Sequence, residues 1–179
     1  MTEEEGAAPS SHIRQIFVTG RASKSIELPV SLYHGSLGKI ADTQALLDSG
    51  ATGNFIDYDF VARNNWPKER LSSPVLAHNT DGSPNQKGMI CFCTQLTLQI
   101  GEKEETRWFY LLHLGNKNLI LGLPWLRSAN PVINWSTGKV HLPSGRNTPQ
   151  HDSPNAMYQR YLVWYLKLDP NSKLEQLHL

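Results

Sequence analysis

Three apolar residues, Ala45-Leu46-Leu47, run directly into Asp48-Ser49-Gly50-Ala51-Thr52, and no other stretch restricts the fold as much. Ala45 to Leu47 predict a buried strand. Asp48 is then delivered at the strand's end, where the chain must turn. An unpaired carboxylate carried towards a core is costly, so an acid at this place needs either a turn or a chemical role to account for it. Asp, Ser and Gly are the usual turn formers, and on their own these three residues read as a turn. The rest of the chain decides between turn and chemistry.

The chain has 179 residues, enough for one domain with flanking sequence and a real core. Its 17 basic and 16 acidic residues leave a net charge of +1, which calls for neither nucleic acid nor a membrane surface as a partner. No apolar run reaches the length of a membrane span. The start, Met1-Thr2-Glu3-Glu4-Glu5, is the opposite of a signal peptide, so an intracellular, cytoplasmic location is expected. Asn134-Trp135-Ser136 matches a glycosylation sequon but has no meaning in that compartment. Cys91 and Cys93 lie on one face of a strand and are expected as buried free thiols. Their spacing does not suit zinc, and His78, His113 and His141 have no partner spacing for a metal or a Ser–His pair. No metal and no cofactor are called for.

The organisation is that of a small, mainly β domain over 26–142 with flanks on both sides. Residues 1–25 read as a polar tail, with a weak strand pattern at Ile13, Ile16, Phe17 and Val18. Ile26, Leu28, Val30 and Leu32 alternate with polar positions, the period of a half-buried strand. Pro29 within it indicates an edge or a bulge. His34 to Gly38 is a turn, and Lys39 to Leu47 the next strand. Phe55-Ile56 is a short apolar stretch, after which Asp57 can cap a short helix holding Phe60, Val61 and Ala62. Val75-Leu76-Ala77 and Met89 to Ile100 frame a turn-rich tip with Asp81-Gly82 at its centre, which predicts a hairpin.

Gly101 to Glu105 reads as a charged turn. Thr106 to Leu114 is a strand whose aromatics belong to the core. Leu119-Ile120-Leu121 is a short apolar strand stopped by Gly122. Pro124 to Ala129 fits a short helix with proline in its first turn. Val132 to Trp135 and Lys139 to Leu142 make a last hairpin. Residues 143–156 read as a linker, and 157–179 as a C-terminal extension in which Tyr158, Tyr161, Leu162, Tyr165 and Leu168 keep a helical spacing.

An Asp-Ser-Gly triplet followed by a hairpin, a glycine-ended apolar strand and a short helix resembles the retropepsins. These are the single-domain aspartic proteases of retroviruses and LTR retrotransposons, and the Ty3/gypsy branch is the nearest in style. The resemblance rests on Ala45 to Asp57, on Asn79-Thr80-Asp81-Gly82-Ser83-Pro84, and above all on Leu119-Ile120-Leu121-Gly122-Leu123-Pro124-Trp125-Leu126, continued by Asn130 to Trp135. It covers about 26–142. It implies a small closed β-barrel with a flap hairpin and a short helix near the C-terminal end of the domain.

The same resemblance implies an aspartic endopeptidase that processes a retrotransposon polyprotein of the Gag–Pol type. Two carboxylates held about 3 Å apart share one proton, so one acts as base towards water while the other donates to the scissile carbonyl. The chain holds one such triplet: Asp152-Ser153 is followed by Pro154, and Asp81-Gly82 lacks the hydroxyl. The second acid is therefore expected from a second copy across a two-fold axis. By resemblance Asp48 is the catalytic acid, Ser49 bridges the dimer axis and Gly50 allows close approach. Ala51, Thr52 and Gly53 line the substrate wall, and Asp81 and Gly82 form the flap tip. Thr52 and Gly53 stand where retroviral enzymes often carry two acids, which removes that carboxylate grip on substrate. The alternative is a catalytically silent domain of the same fold, serving dimerisation or binding.

Overall fold

Alternation of apolar and polar residues sets the strands, and the computed structural model describes them over residues 25–78, 84–143 and 153–159. In chain order the elements are β1 (Glu27–His34), β2 (Gly38–Leu47), β3 (Phe55–Asp57), α1 (Tyr58–Arg63), β4 (Glu69–His78) and β5 (Pro84–Ile100). They continue as β6 (Lys103–Leu112), β7 (Leu119–Leu121), α2 (Leu123–Ala129), β8 (Val132–Asn134) and β9 (Lys139–His141). A third short helix covers 154–159.

The main sheet runs β1-β2-β7-β3-β6-β5-β4, and a further pairing of β1 with β5 closes six of its strands into a barrel. That closure is short, from Ser31 opposite Gln99 to Tyr33 opposite Thr97. Pro29 lies just outside it, on a stretch of β1 that pairs only with β2. A proline lacks the N–H a second neighbour would need, so of the two alternatives at Pro29 the edge position is found; the bulge of β1 falls further on, between Leu32 and Tyr33. The expected closed β-barrel fold is borne out.

The barrel is filled by Leu28, Val30 and Leu32 of β1, Leu96, Leu98 and Ile100 of β5, Phe109 and Leu111 of β6, Leu119 and Leu121 of β7, and Trp125 of α2. β5 and β6 are long enough to serve two cores. Outside the barrel Ile90, Cys93, Trp108, Tyr110 and Leu112 pack with Leu71 and Phe55 in a second cluster under β4. The aromatics of β6 thus divide: Phe109 enters the barrel, whereas Trp108 and Tyr110 join the second cluster.

Several boundaries differ from the sequence reading: β5 begins at Pro84 and not Met89, and β6 ends at Leu112 and not Leu114. The β5–β6 turn is only Gly101 and Glu102, because Ile100 pairs directly with Lys103. Gly101 at φ 60° suits the first position of a two-residue hairpin turn. The charges of Lys103, Glu104 and Glu105 therefore belong to β6. β4 begins at Glu69, earlier than the apolar signal at Val75, since Arg70 pairs with Phe92 across the Ser72-Ser73-Pro74 interruption. The thiols are free as expected, with Cys93 fully buried and Cys91 only partly so. The strand pattern at 13–18 and the helical spacing beyond 159 lie outside the described residues.

α2 is fixed across the barrel by a buried polar group of residues. Two guanidinium nitrogens of Arg107 donate to Glu105 Oε2, one of them at 2.9 Å, and Arg107 also donates to Ser128 Oγ at 2.8 Å. The indole N–H of Trp125 donates to Glu105 Oε1. Arg107 is 2% exposed. A charge so deeply buried is tolerated only when paired and hydrogen-bonded.

Candidate active site

Asp48 stands one residue beyond β2, and the loop it opens runs over the end of β7 to the start of β3. β7 lies between those two strands, parallel to β2 with Leu47 opposite Leu121, and antiparallel to β3 with Phe55 opposite Ile120. Both ends of the loop are therefore held by the same three-residue strand. Asp48 N–H donates to Leu121 C=O at 3.1 Å, continuing the β2–β7 ladder for one more step.

Within the loop the backbone is pinned by short-range bonds. Gly50 N–H donates to Asp48 Oδ1 at 2.8 Å, and Ala51 N–H donates to Asp48 C=O at 3.2 Å. A Cβ on residue 50 would stand 3.2 Å from Asp48 Oδ1, so glycine keeps this approach unhindered. Asp48 is partly exposed, while Ser49, Gly50 and Thr52 are open to solvent. Among the described residues no donor meets Asp48 Oδ2. The carboxylate is thus oriented through one oxygen and available through the other.

The far side of the loop is joined to α2. Leu123 N–H donates to Ala51 C=O at 2.8 Å, and Gly122 N–H donates to Asn54 Oδ1 at 3.1 Å. A Cβ on Gly122 would collide with the carbonyl of Gly53 and stand 2.6 Å from that of Ala51. No side chain fits there, which explains why the apolar strand must end in glycine. Asn54 C=O accepts from Tyr110 N–H at 3.0 Å, and Gly53 is buried beside the rings of Phe55 and Tyr110. The loop thereby connects to the second cluster and to the β4–β5 hairpin above it. Burial of Tyr110, with Cys93 near it, pushes its phenol above the usual range.

The PEG10/RTL1 protease domain family matches the chain over residues 44–149, more than half of its length. The chain belongs to this family. Its retropepsin-like, Ty3/gypsy-derived character, expected from the resemblance, is borne out. Similar solved structures include the retroviral protease-like domain of Ddi1 from Leishmania major, at 16% identity over 66% of this chain and 86% of that one, with a TM-score of 0.44. Another is EIAV protease complexed with the inhibitor HBY-793, at 17% identity over 62% and 92%, TM-score 0.38. A third is the solution structure of simian foamy virus (mac) protease, at 18% identity over 56% and 94%, TM-score 0.33.

In this member of the PEG10/RTL1 family, Asp48, Ser49, Gly50, Ala51, Thr52 and Gly53 share one loop. Asp81 and Gly82, assigned from sequence to the flap tip, lie outside the described residues, between the ends of β4 and β5. Two residues hold the loop in ways that the sequence pattern does not specify. Asn54 was read only as part of the motif, although an asparagine after a run of small residues is a ready backbone acceptor. The resemblance implies that Leu119 to Gly122 packs beside the catalytic loop, but Gly122's close approach to two carbonyls depends on a contact distant in sequence.

Asp57, Asp59 and His113 bring ligand atoms within 4.8 Å of one another, the geometry a metal would need. Both oxygens of Asp57 are already engaged, however. Oδ1 accepts from Phe60 N–H at 2.8 Å and Oδ2 from Leu114 N–H at 2.9 Å. His113 Nδ1 lies 3.1 Å from Asp59 Oδ2. The group is accounted for as the predicted cap of α1 with a neighbouring hydrogen bond between His113 and Asp59. No helix among the described residues is long and apolar enough to cross a membrane.

Proposed function

We propose that the chain is an aspartic endopeptidase acting as a homodimer, each copy contributing Asp48 to one water-activating pair. The observation that carries this reading is the state of Asp48: partly exposed, held by Gly50 through Oδ1, with Oδ2 meeting no donor among the described residues. The fold holds the acid in place and leaves half of it available.

In the proposed reaction two copies of Asp48 approach across a two-fold axis and share one proton. The ionised acid takes a proton from water as the oxygen attacks the peptide carbonyl, and the protonated acid donates to the carbonyl oxygen. The tetrahedral intermediate then collapses as a proton passes to the leaving amine and the C–N bond breaks. Ser49 bridges the two loops. Ala51, Thr52 and Gly53 form the substrate wall, and the flap tip with Asp81 and Gly82 closes over the peptide. The substrate class is an extended segment of a polyprotein of the Gag–Pol type, in keeping with the Ty3/gypsy-derived family.

Hydrolysis of apolar peptides at mildly acid pH, with and without pepstatin, tests the reading. Pepstatin-sensitive turnover that disappears in Asp48→Asn is expected. A folded dimer with no turnover overturns it.

A further inference from the structure

The second cluster continues outwards into a cavity of about 420 Å³. Leu71, Pro74 and Val75 of β4 line one side, Tyr110 of β6 another, and Met157 and Tyr158 of the 154–159 helix a third. Val75 is 42% exposed and Met157 58%, so the mouth is apolar and open. Exposed apolar surface gathered at a concave site marks a place for a ligand. Tyr110, which lines the cavity, also touches the acid loop: its ring lies beside Gly53 and its N–H donates to Asn54 C=O.

The helix that completes this cavity is attached with specific geometry. Asn155 lies against the outer edge of β4, the last strand of the sheet. Its Oδ1 accepts from Ser72 N–H at 2.8 Å, and its Nδ2 donates to Arg70 C=O at 3.1 Å. One side-chain amide thus pairs the strand edge as a peptide group of another strand would. The grip falls where β4 leaves its ladder with β5, between Arg70 and Val75. Ser153 folds the segment's own first turn, its hydroxyl accepting from Ala156 N–H at 3.1 Å and its carbonyl from Met157 N–H at 3.0 Å.

We propose that residues 153–159 form one wall of a pocket for an apolar side chain of the bound peptide, with Asn155 as the positioning residue that fixes this wall to β4. The cavity stays open with the segment seated, so the segment is a wall and not a plug. The inference rests on the peptide-hydrolase reading for the nature of its ligand. It makes a segment that follows the barrel part of the site's specificity.

The test uses the full-length chain carrying Asp48→Asn, so that peptide is bound but not consumed. Peptides bearing Ala, Leu or Phe at each position in turn are titrated with and without Asn155→Ala. At one position, Leu and Phe peptides are expected to bind about tenfold more weakly to the Asn155→Ala chain, while the Ala peptide is unchanged. Met157→Ala, which leaves the clasp intact, is expected to weaken the same peptides about threefold. Hydrogen exchange at the Ser72 amide is expected to speed up in Asn155→Ala alone, with the β5–β6 amides unchanged.

Equal affinity across the series in both variants overturns the proposal, as does a chain that binds none of the peptides. Cleavage by the unsubstituted chain separates the two claims. Cleavage with no effect of Asn155→Ala on binding removes the wall and keeps the hydrolase. Size-selective binding lost in Asn155→Ala, without cleavage, keeps the wall and removes the hydrolase.

Discussion

Asp48 and Asp57 stand nine residues apart in sequence, one opening the loop after β2 and the other ending β3 beyond that loop, and they are bonded in opposite ways. Asp57 is 5% exposed and both of its oxygens accept main-chain N–H groups, from Phe60 and Leu114. It ties the start of α1 to the chain beyond β6. Asp48 is partly exposed and, among the described residues, its side chain accepts from Gly50 alone. A carboxylate saturated by backbone donors is structural, because its charge is already compensated and its lone pairs are occupied. One held by a single oxygen at a strand end is oriented and keeps a free oxygen, which is what the proposed chemistry requires. The contrast is between an acid whose bonds are all used by the backbone and one whose bonds are not.

The largest effect that can sharpen the contrast is on turnover. Asp48→Asn is expected to lower peptide hydrolysis by about a thousandfold or more, with the urea midpoint unchanged. A variant that keeps turnover would show that the acid is misassigned. Next in size is the barrel's own charge pair. Arg107→Met leaves Glu105 buried without its cation, which is expected to destabilise by about 3–5 kcal/mol in chemical unfolding. A loss near zero would mean that the pair is not what fixes α2 to β6.

Asp57→Asn turns an amide N–H₂ towards one of two backbone donors, and a loss of about 1–3 kcal/mol is expected. Turnover per folded molecule should be retained. If Asp57→Asn lost activity without losing stability, the division between the two acids would fail. Gly122→Ala lies between the two cases, since it disturbs the loop that carries Asp48. It is expected to cost about 1–3 kcal/mol and to reduce turnover as well, read from the same two measurements.

The smallest effect is pH-dependent and belongs to the second cluster. Burial, with a contribution from Glu69, pushes the Cys93 thiol up to about 11. A folded value raised above the unfolded one near 9.0 leaves stability whole below that value and removes it as pH climbs towards 11. Unfolding free energy should therefore fall between those limits in the native chain, and fall less in Cys93→Val. The same slope in both would remove the thiol as its cause.

Much of this was legible in the sequence because it is local. The alternation of β1, the cap at Asp57, the proline in the first turn of α2 and the Asp-Ser-Gly turn all act within a few residues. What was missed depends on contacts between distant segments. The apolar signal of β4 starts only at Val75, because Ser72-Ser73-Pro74 hides a strand that the β5 ladder restores at Arg70. Glu105 was read as turn charge, although it accepts from Arg107 and Trp125 in the interior. Asn155 lay in a stretch read as linker, and its partners on β4 are more than eighty residues away. Polar residues with remote partners give no periodic signal, so pattern alone reads them as surface.

The most direct test of the central claim is specific activity measured while the protein is diluted. An oriented, half-occupied Asp48 that needs its own copy predicts that activity per chain falls as dimer dissociates, and that added Asp48→Asn chain lowers it further by forming mixed dimers. Constant activity per chain at every dilution, indifferent to the added variant, would contradict the account.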